Sequence, residues 1–121
     1  MALNVVVLEK DPAVAQSLAG GLHPHFSVLL AGSHQQMRDD IERHRPEVVV
    51  LNLEHSPLTD IERLHQDFPQ LSIVCTHRVP DEEMWMAALS AGACDVCPAD
   101  DVNDVLSSVL RSTATSRNAA A

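Results

Sequence analysis

Five short apolar runs, each followed by a stretch of helical periodicity, constrain this chain more than any other feature. Val5-Val6-Val7-Leu8 and Val48-Val49-Val50-Leu51 show no alternation of polar and apolar residues. A strand with one wet face alternates, whereas a strand buried on both faces does not. Helices packed on both sides of a parallel sheet supply that double burial. Leu3–Leu8, Phe26–Ala31, Val48–Leu53, Leu71–Cys75 and Asp95–Cys97 are therefore predicted as strands.

The intervening stretches carry helix signals. Asp11-Pro12 offers an N-cap with proline at the first helical position, before Val14, Leu18 and Leu22 on one face. Gly20-Gly21 weaken the end of that helix. Ser33 and Gln36 form a capping box for a polar helix that buries Met37 and Ile41 and stops at Pro46. Ser56-Pro57 and Thr59-x-x-Glu62 open a third helix with Ile61, Leu64 and Phe68 inward. Pro80-Asp81 opens a fourth, closed by Gly92. Asp100 or Asp101 caps a fifth, with Val102, Val105, Leu106, Val109 and Leu110 apolar. Five such units in 121 residues predict an α/β, doubly wound, five-stranded parallel sheet of order 2-1-3-4-5, a flavodoxin-like architecture. Residues 1–111 form that domain. Residues 112–121 are Ser, Thr, Ala and Asn with one Arg, lack an apolar stripe and read as a flexible tail or linker.

Several functions are disfavoured. A net charge of −9 offers no phosphate-binding face, so direct nucleic-acid contact is not expected. No apolar run approaches the length of a membrane span, and Met1-Ala2-Leu3-Asn4 lacks the basic start of a signal peptide. The chain reads as cytoplasmic. The turn after the first strand contains no G-x-G-x-x-G and no Walker A, and neither G-x-S-x-G nor H-E-x-x-H occurs. No cofactor is expected. Cys94 and Cys97 form a C-x-x-C, read either as a redox pair or as small fillers around a short strand.

In doubly wound sheets the working site lies at the carboxyl ends of the strands, where the order reverses between strands 1 and 3. That rule selects Glu9-Lys10-Asp11, Asn52 to Ser56, Thr76-His77 and Pro98-Ala99. Asn52 stands out as one polar side chain near the end of the most apolar strand. A carboxylate there could attack phosphorus; a neutral amide is a poor nucleophile and a weaker metal ligand.

The stretches VVVLEKDPAV, PEVVVLNL, IVCTH and SAGACDVCPADD, in this order and spacing, resemble the response-regulator receiver family over residues 3 to 111. The resemblance implies a pocket in which two acids after strand 1 and a strand 3 aspartate gather Mg²⁺. A strand 4 hydroxyl and a strand 5 lysine then hold the phosphoryl group. By that resemblance Glu9 keeps the first acidic position, Lys10 replaces the second and Asn52 replaces the phosphoacceptor. The metal-binding carbonyl falls on Glu54. Thr76 keeps the hydroxyl, Ala99 replaces the lysine, Asp100 the proline after it and Val96 the switch aromatic. The implied pocket is degenerate, without catalytic residues or a metal site. Lys10 either joins Glu9 and Asn52 in a polar cluster or points to solvent. His55 and His77 lie on loops beside this pocket. His23-Pro24-His25 lies at the opposite end of the sheet, and His34, His44 and His65 lie on polar helical faces.

Met84-Trp85-Met86 are consecutive on the fourth helix and span about 200° of its circumference, wider than one inward stripe. At least one must reach the surface. With the fifth strand and helix it marks a contact face of the kind receivers use for dimers and partners. The expected function is thus an atypical receiver domain in phosphorelay-type signalling, not an enzyme. It would act as a phosphorylation-independent dimerisation or docking module, with a weak homodimer, a protein partner or an output domain. Two alternatives remain: a phosphoacceptor using Asp11, Glu54 or His55, or a small-molecule sensor in the emptied pocket.

Overall fold

The computed structural model describes the backbone of residues 3–120 and the side chains of residues 3–113. The elements run β1 (Leu3–Leu8), α1 (Pro12–Leu22), β2 (Phe26–Ala31), α2 (His34–His44) and β3 (Val48–Asn52). They continue with α3 (Leu58–Asp67), β4 (Ser72–His77), α4 (Glu82–Ala91), β5 (Asp95–Pro98) and α5 (Val102–Ala120). All strand pairs are parallel, and the order is β2-β1-β3-β4-β5, as expected.

The unalternating strands are explained by two cores. Val6, Leu8, Val49, Leu51, Ile73 and Cys75 face one side, against Met37 and Ile41 of α2, Ile61 and Leu64 of α3, and Ala88 and Ala91 of α4. Val5, Val7, Val48, Val50 and Val74 face the other, against Leu18 and Leu22 of α1 and Val105 and Val109 of α5. Each buried Val, Leu, Ile or Met side chain gains roughly 1.5–3 kcal/mol, so a polar residue on either face of β1 or β3 would be costly.

Asp11 caps α1 by accepting from the N–H groups of Ala13 and Val14. Ser33 caps α2 as expected, but Gln36 Oε1 accepts from Gly32 N–H, one residue before the cap, so the box is displaced. Asp81 caps α4 and Asp101 caps α5. The start of α3 differs from expectation: Pro57 holds the cap position without a side-chain bond, and Thr59 lies inside the helix. The continuation of α5 to Ala120 carries helix through nearly all of the stretch read as a tail. Thr113 is buried there, and Ser112 and Thr113 donate their hydroxyls back to the carbonyls of Ser108 and Leu110, which satisfies them without solvent.

Gly92 closes α4 at φ 120°, a conformation L side chains rarely adopt, and a Cβ added there would lie 2.7 Å from His65 Cγ. Both effects act together, so Gly92→Ala is expected to cost about 1–3 kcal/mol. The measurement is the urea midpoint. An unchanged midpoint would mean that the turn relaxes around the methyl group.

Candidate functional site

Register brings the selected residues together. Leu8 pairs with Leu51 and Asn52 with Thr76, so Glu9, one residue past β1, arrives beside Asn52 at the end of β3. Thr76 in turn pairs with Cys97, two residues before Ala99. Glu9, Asn52, Thr76 and Ala99 are all buried.

Asn52 is engaged on both sides of its amide. Its Nδ2 donates to Glu9 Oε1 at 2.7 Å, and its Oδ1 accepts from Glu54 N–H at 2.7 Å. Glu9 Oε2 accepts from Asp11 N–H at 3.1 Å and meets His55 Nε2 at 3.2 Å. Of the two readings of Lys10, the solvent-facing one holds: Lys10 is exposed, and the cluster's third member is His55. The peptide leaving β1 turns Lys10 outward, while the loop after β3 brings His55 back over Glu9. The cluster is therefore Glu9–Asn52–His55.

These residues do not fit Mg²⁺. The ion prefers several oxygen ligands in near-octahedral geometry. Here Glu9 is the one carboxylate at the three positions the family uses. Asn52 turns its N–H₂ toward Glu9 and its oxygen away, and Lys10, at the position where the resemblance implies the other acid, is exposed. Among the described residues no group of three or more His, Cys, Asp or Glu is placed to hold a metal ion.

A second tie joins the loops above the cluster. Glu54 accepts from Arg78 N–H at 2.9 Å and from its guanidinium at 3.2 Å, linking the β3–α3 loop to the β4–α4 loop. The Arg78 N–H, then its charge and the nearby His77 and His55, hold the Glu54 carboxyl below its ordinary value against a smaller desolvation effect. His77 Nδ1 accepts from Val79 N–H at 3.0 Å, which places the ring proton on Nε2. His34, expected to be solvated, is instead tied to buried Ser56 Oγ at 2.9 Å and to Asp60 at 3.4 Å. Both contacts use Nε2, so this is no relay that would activate the serine.

The cysteines divide. Cys94 is exposed, and Cys75 and Cys97 are buried. Burial first, then the neighbouring thiols for Cys75 and the carboxylates of Asp95 and Asp104 for Cys97, push both thiols up to about 12. A buried thiol so poorly ionised suits packing rather than thiolate chemistry.

On α4, Trp85 is 43% and Met86 57% exposed, while Met84 is half-buried. Trp85 Nε1–H donates to Asp95 Oδ1 at 3.2 Å. Asp95 Oδ2 accepts from Ser108 Oγ at 2.8 Å and Arg111 at 3.2 Å, so one carboxylate joins α4, β5 and α5. Burial pushes the Asp95 carboxyl up, but the bonds from Ser108, Trp85 and Val96 N–H, with the charge of Arg111, outweigh it and hold the carboxyl below its ordinary value. A depressed carboxyl stabilises the fold fully above its unfolded value and ceases to do so as pH falls through the folded one. Asp95→Asn should therefore flatten the loss of stability as pH falls through and below the ordinary carboxyl range, read by urea unfolding across the acid range. An acid limb identical to the parent's would exclude Asp95 as a contributor.

No family model and no curated protein matches the sequence. Solved structures do match. A response regulator from Thermotoga maritima superposes with a TM-score of 0.86 at 18% identity, covering 94% of this chain and 99% of that one. A CheY-like receiver domain protein from Methanospirillum hungatei JF-1 gives 0.82 at 15%, covering 98% of each. NtrX from Brucella abortus, in complex with ADP, gives 0.86 at 19%, covering 97% of this chain but 27% of that longer one. The chain thus has the fold of response-regulator receiver domains.

Proposed function

We propose that this chain is an atypical receiver domain that signals by docking to a protein partner or output domain, or by dimerising, without phosphoryl transfer at Asn52. The observation that carries this reading is the closed bonding of Asn52 to Glu9 and Glu54 at the place where the fold's phosphoacceptor stands. An amide so held is no nucleophile. The substitute acceptors are also engaged. Asp11 caps α1, both Glu54 oxygens face Arg78, and His55 Nε2 meets Glu9. No buried side-chain nitrogen or oxygen among the described residues lacks a partner, which favours a closed pocket over a ligand sensor. Exposed Trp85 and Met86 supply apolar area for contact. NtrX, of which the chain matches 27%, offers the precedent of a receiver fold within a longer chain.

Intact mass after incubation with acetyl phosphate and Mg²⁺ tests the reading. No adduct is expected. An acid-labile adduct on the wild-type chain would overturn it.

A further inference from the structure

We infer that the recess between α3 and α4 seats one apolar side chain of a basic amphipathic helix from a partner protein. This rests on the docking reading and names its partner. The recess, about 240 Å³, is walled by Leu53, Pro57, Leu58, Met84 and Ala87. That volume is below the roughly 300–1,000 Å³ of ordinary small-molecule sites, so it suits a single side chain rather than a whole ligand. Its wall reaches the surface at Leu58, which is 37% exposed, and Val79, two residues past the recess-lining His77, is 73% exposed. His77 adds one polar group. Its Nδ1 is occupied by Val79 N–H, which leaves Nε2–H as the donor available to an incoming carbonyl.

Charge selects the partner. Asp81, Glu82 and Glu83 open α4, all exposed, and none forms an ion pair among the described residues. Arg78, the nearest cation in sequence, is committed to Glu54. An apolar anchor flanked by lysine or arginine satisfies both the recess and this unpaired acidic turn. A second copy of the chain fits poorly, since it carries 17 acidic against 8 basic residues and would bring like charge. A groove between two helices is also the ordinary seat for a third, which presents anchors one turn apart.

Panning a displayed library of short helical peptides against the full chain tests this. Enriched peptides should carry a large apolar residue flanked by Lys or Arg. A synthetic copy, followed by fluorescence anisotropy, should weaken by about tenfold or more on Ala87→Phe, which fills the recess, and on Leu58→Lys at its exposed lip. Leu58→Lys guards against misfolding of the first variant. Failure to enrich, enrichment of neutral or acidic peptides, or binding indifferent to both changes would overturn the proposal. So would a sedimenting dimer that Leu58→Lys dissolves, which would make a second copy the occupant. Peptide binding that survives Ala87→Phe but is lost on Met86→Glu would overturn the recess while leaving the docking reading intact. Phosphate on the wild-type chain would strike the docking reading itself.

Discussion

Asn52→Asp is expected to destabilise the domain by about 2–4 kcal/mol at neutral pH and still leave it unphosphorylated. In the parent, Asn52 Nδ2 donates to Glu9 Oε1 at 2.7 Å, and the Glu9 side chain is 2% exposed. The substitution replaces that donor with a second carboxylate oxygen. Two buried carboxylates at that separation cannot both ionise cheaply, and Lys10 is turned to solvent, so His55 is left as the one neighbouring group that can offset them. The folded pair keeps a proton that the unfolded chain releases. The variant's folded state therefore binds more protons at neutral pH, and its deficit against the parent should shrink as pH falls toward ordinary carboxylate values. Urea unfolding at pH 7 and pH 5 without divalent ions reads this directly. Equal stability at pH 7 would show that Glu9 and position 52 do not interact as described. Adding Glu9→Gln to Asn52→Asp exchanges amide and carboxylate, and should recover most of the loss in a double-mutant cycle. Labelling by acetyl phosphate should fail in the single variant, because Ala99 supplies no ammonium group and Lys10 no second metal carboxylate. Stoichiometric labelling would show that those groups are dispensable.

That experiment probes a site only partly legible in the sequence. The sheet was readable because Val5–Leu8 and Val48–Leu51 are apolar on both faces, and only a sheet covered on both sides satisfies that pattern. Glu9, Asn52, Thr76 and Ala99 were selected by the rule that the site lies at the carboxyl ends of the strands and by the resemblance, and the parallel register, a backbone property, brings them together. That His55, and not Lys10, meets Glu9 was not legible. Both lie beside the pocket, and which reaches Glu9 depends on the direction of a loop and one rotamer, features that periodicity does not encode. His34 was misplaced for the same reason: a polar helical face looks solvated until the loop after β3 brings Ser56, and the first turn of α3 brings Asp60, against it. The stretch 112–121 carries no apolar stripe from which a helix could be read, and α5 runs on to Ala120. Thr59 carried a capping pattern that Pro57 pre-empts by occupying the cap position two residues earlier.

Met86→Glu is expected to weaken association through α4 by about tenfold or more while changing unfolding stability by no more than about 0.5 kcal/mol. The two exposed residues of this face differ in how they are held. Trp85 is anchored, its indole N–H given to Asp95, so replacing it would disturb the tie between α4 and β5 as well as the surface. Met86 is 57% exposed and takes part in no such bond, which makes it the cleaner probe. Glutamate there joins Glu82 four residues before it and Glu83 three before, and like charges at those spacings cost a few tenths of a kcal/mol on a helix. Met86→Gln is the matched control, because it removes the apolar contact without adding charge. If burial of Met86 drives association, both variants should shift sedimentation toward monomer, with glutamate the stronger against an acidic second copy, or both should weaken a docked partner. If glutamate alone has an effect, the acidic charge of α4 is responsible and Met86 makes no contact. A parent chain that sediments as monomer at high concentration would remove the homodimer and leave the hetero-partner, for which the same two variants read the loss of binding.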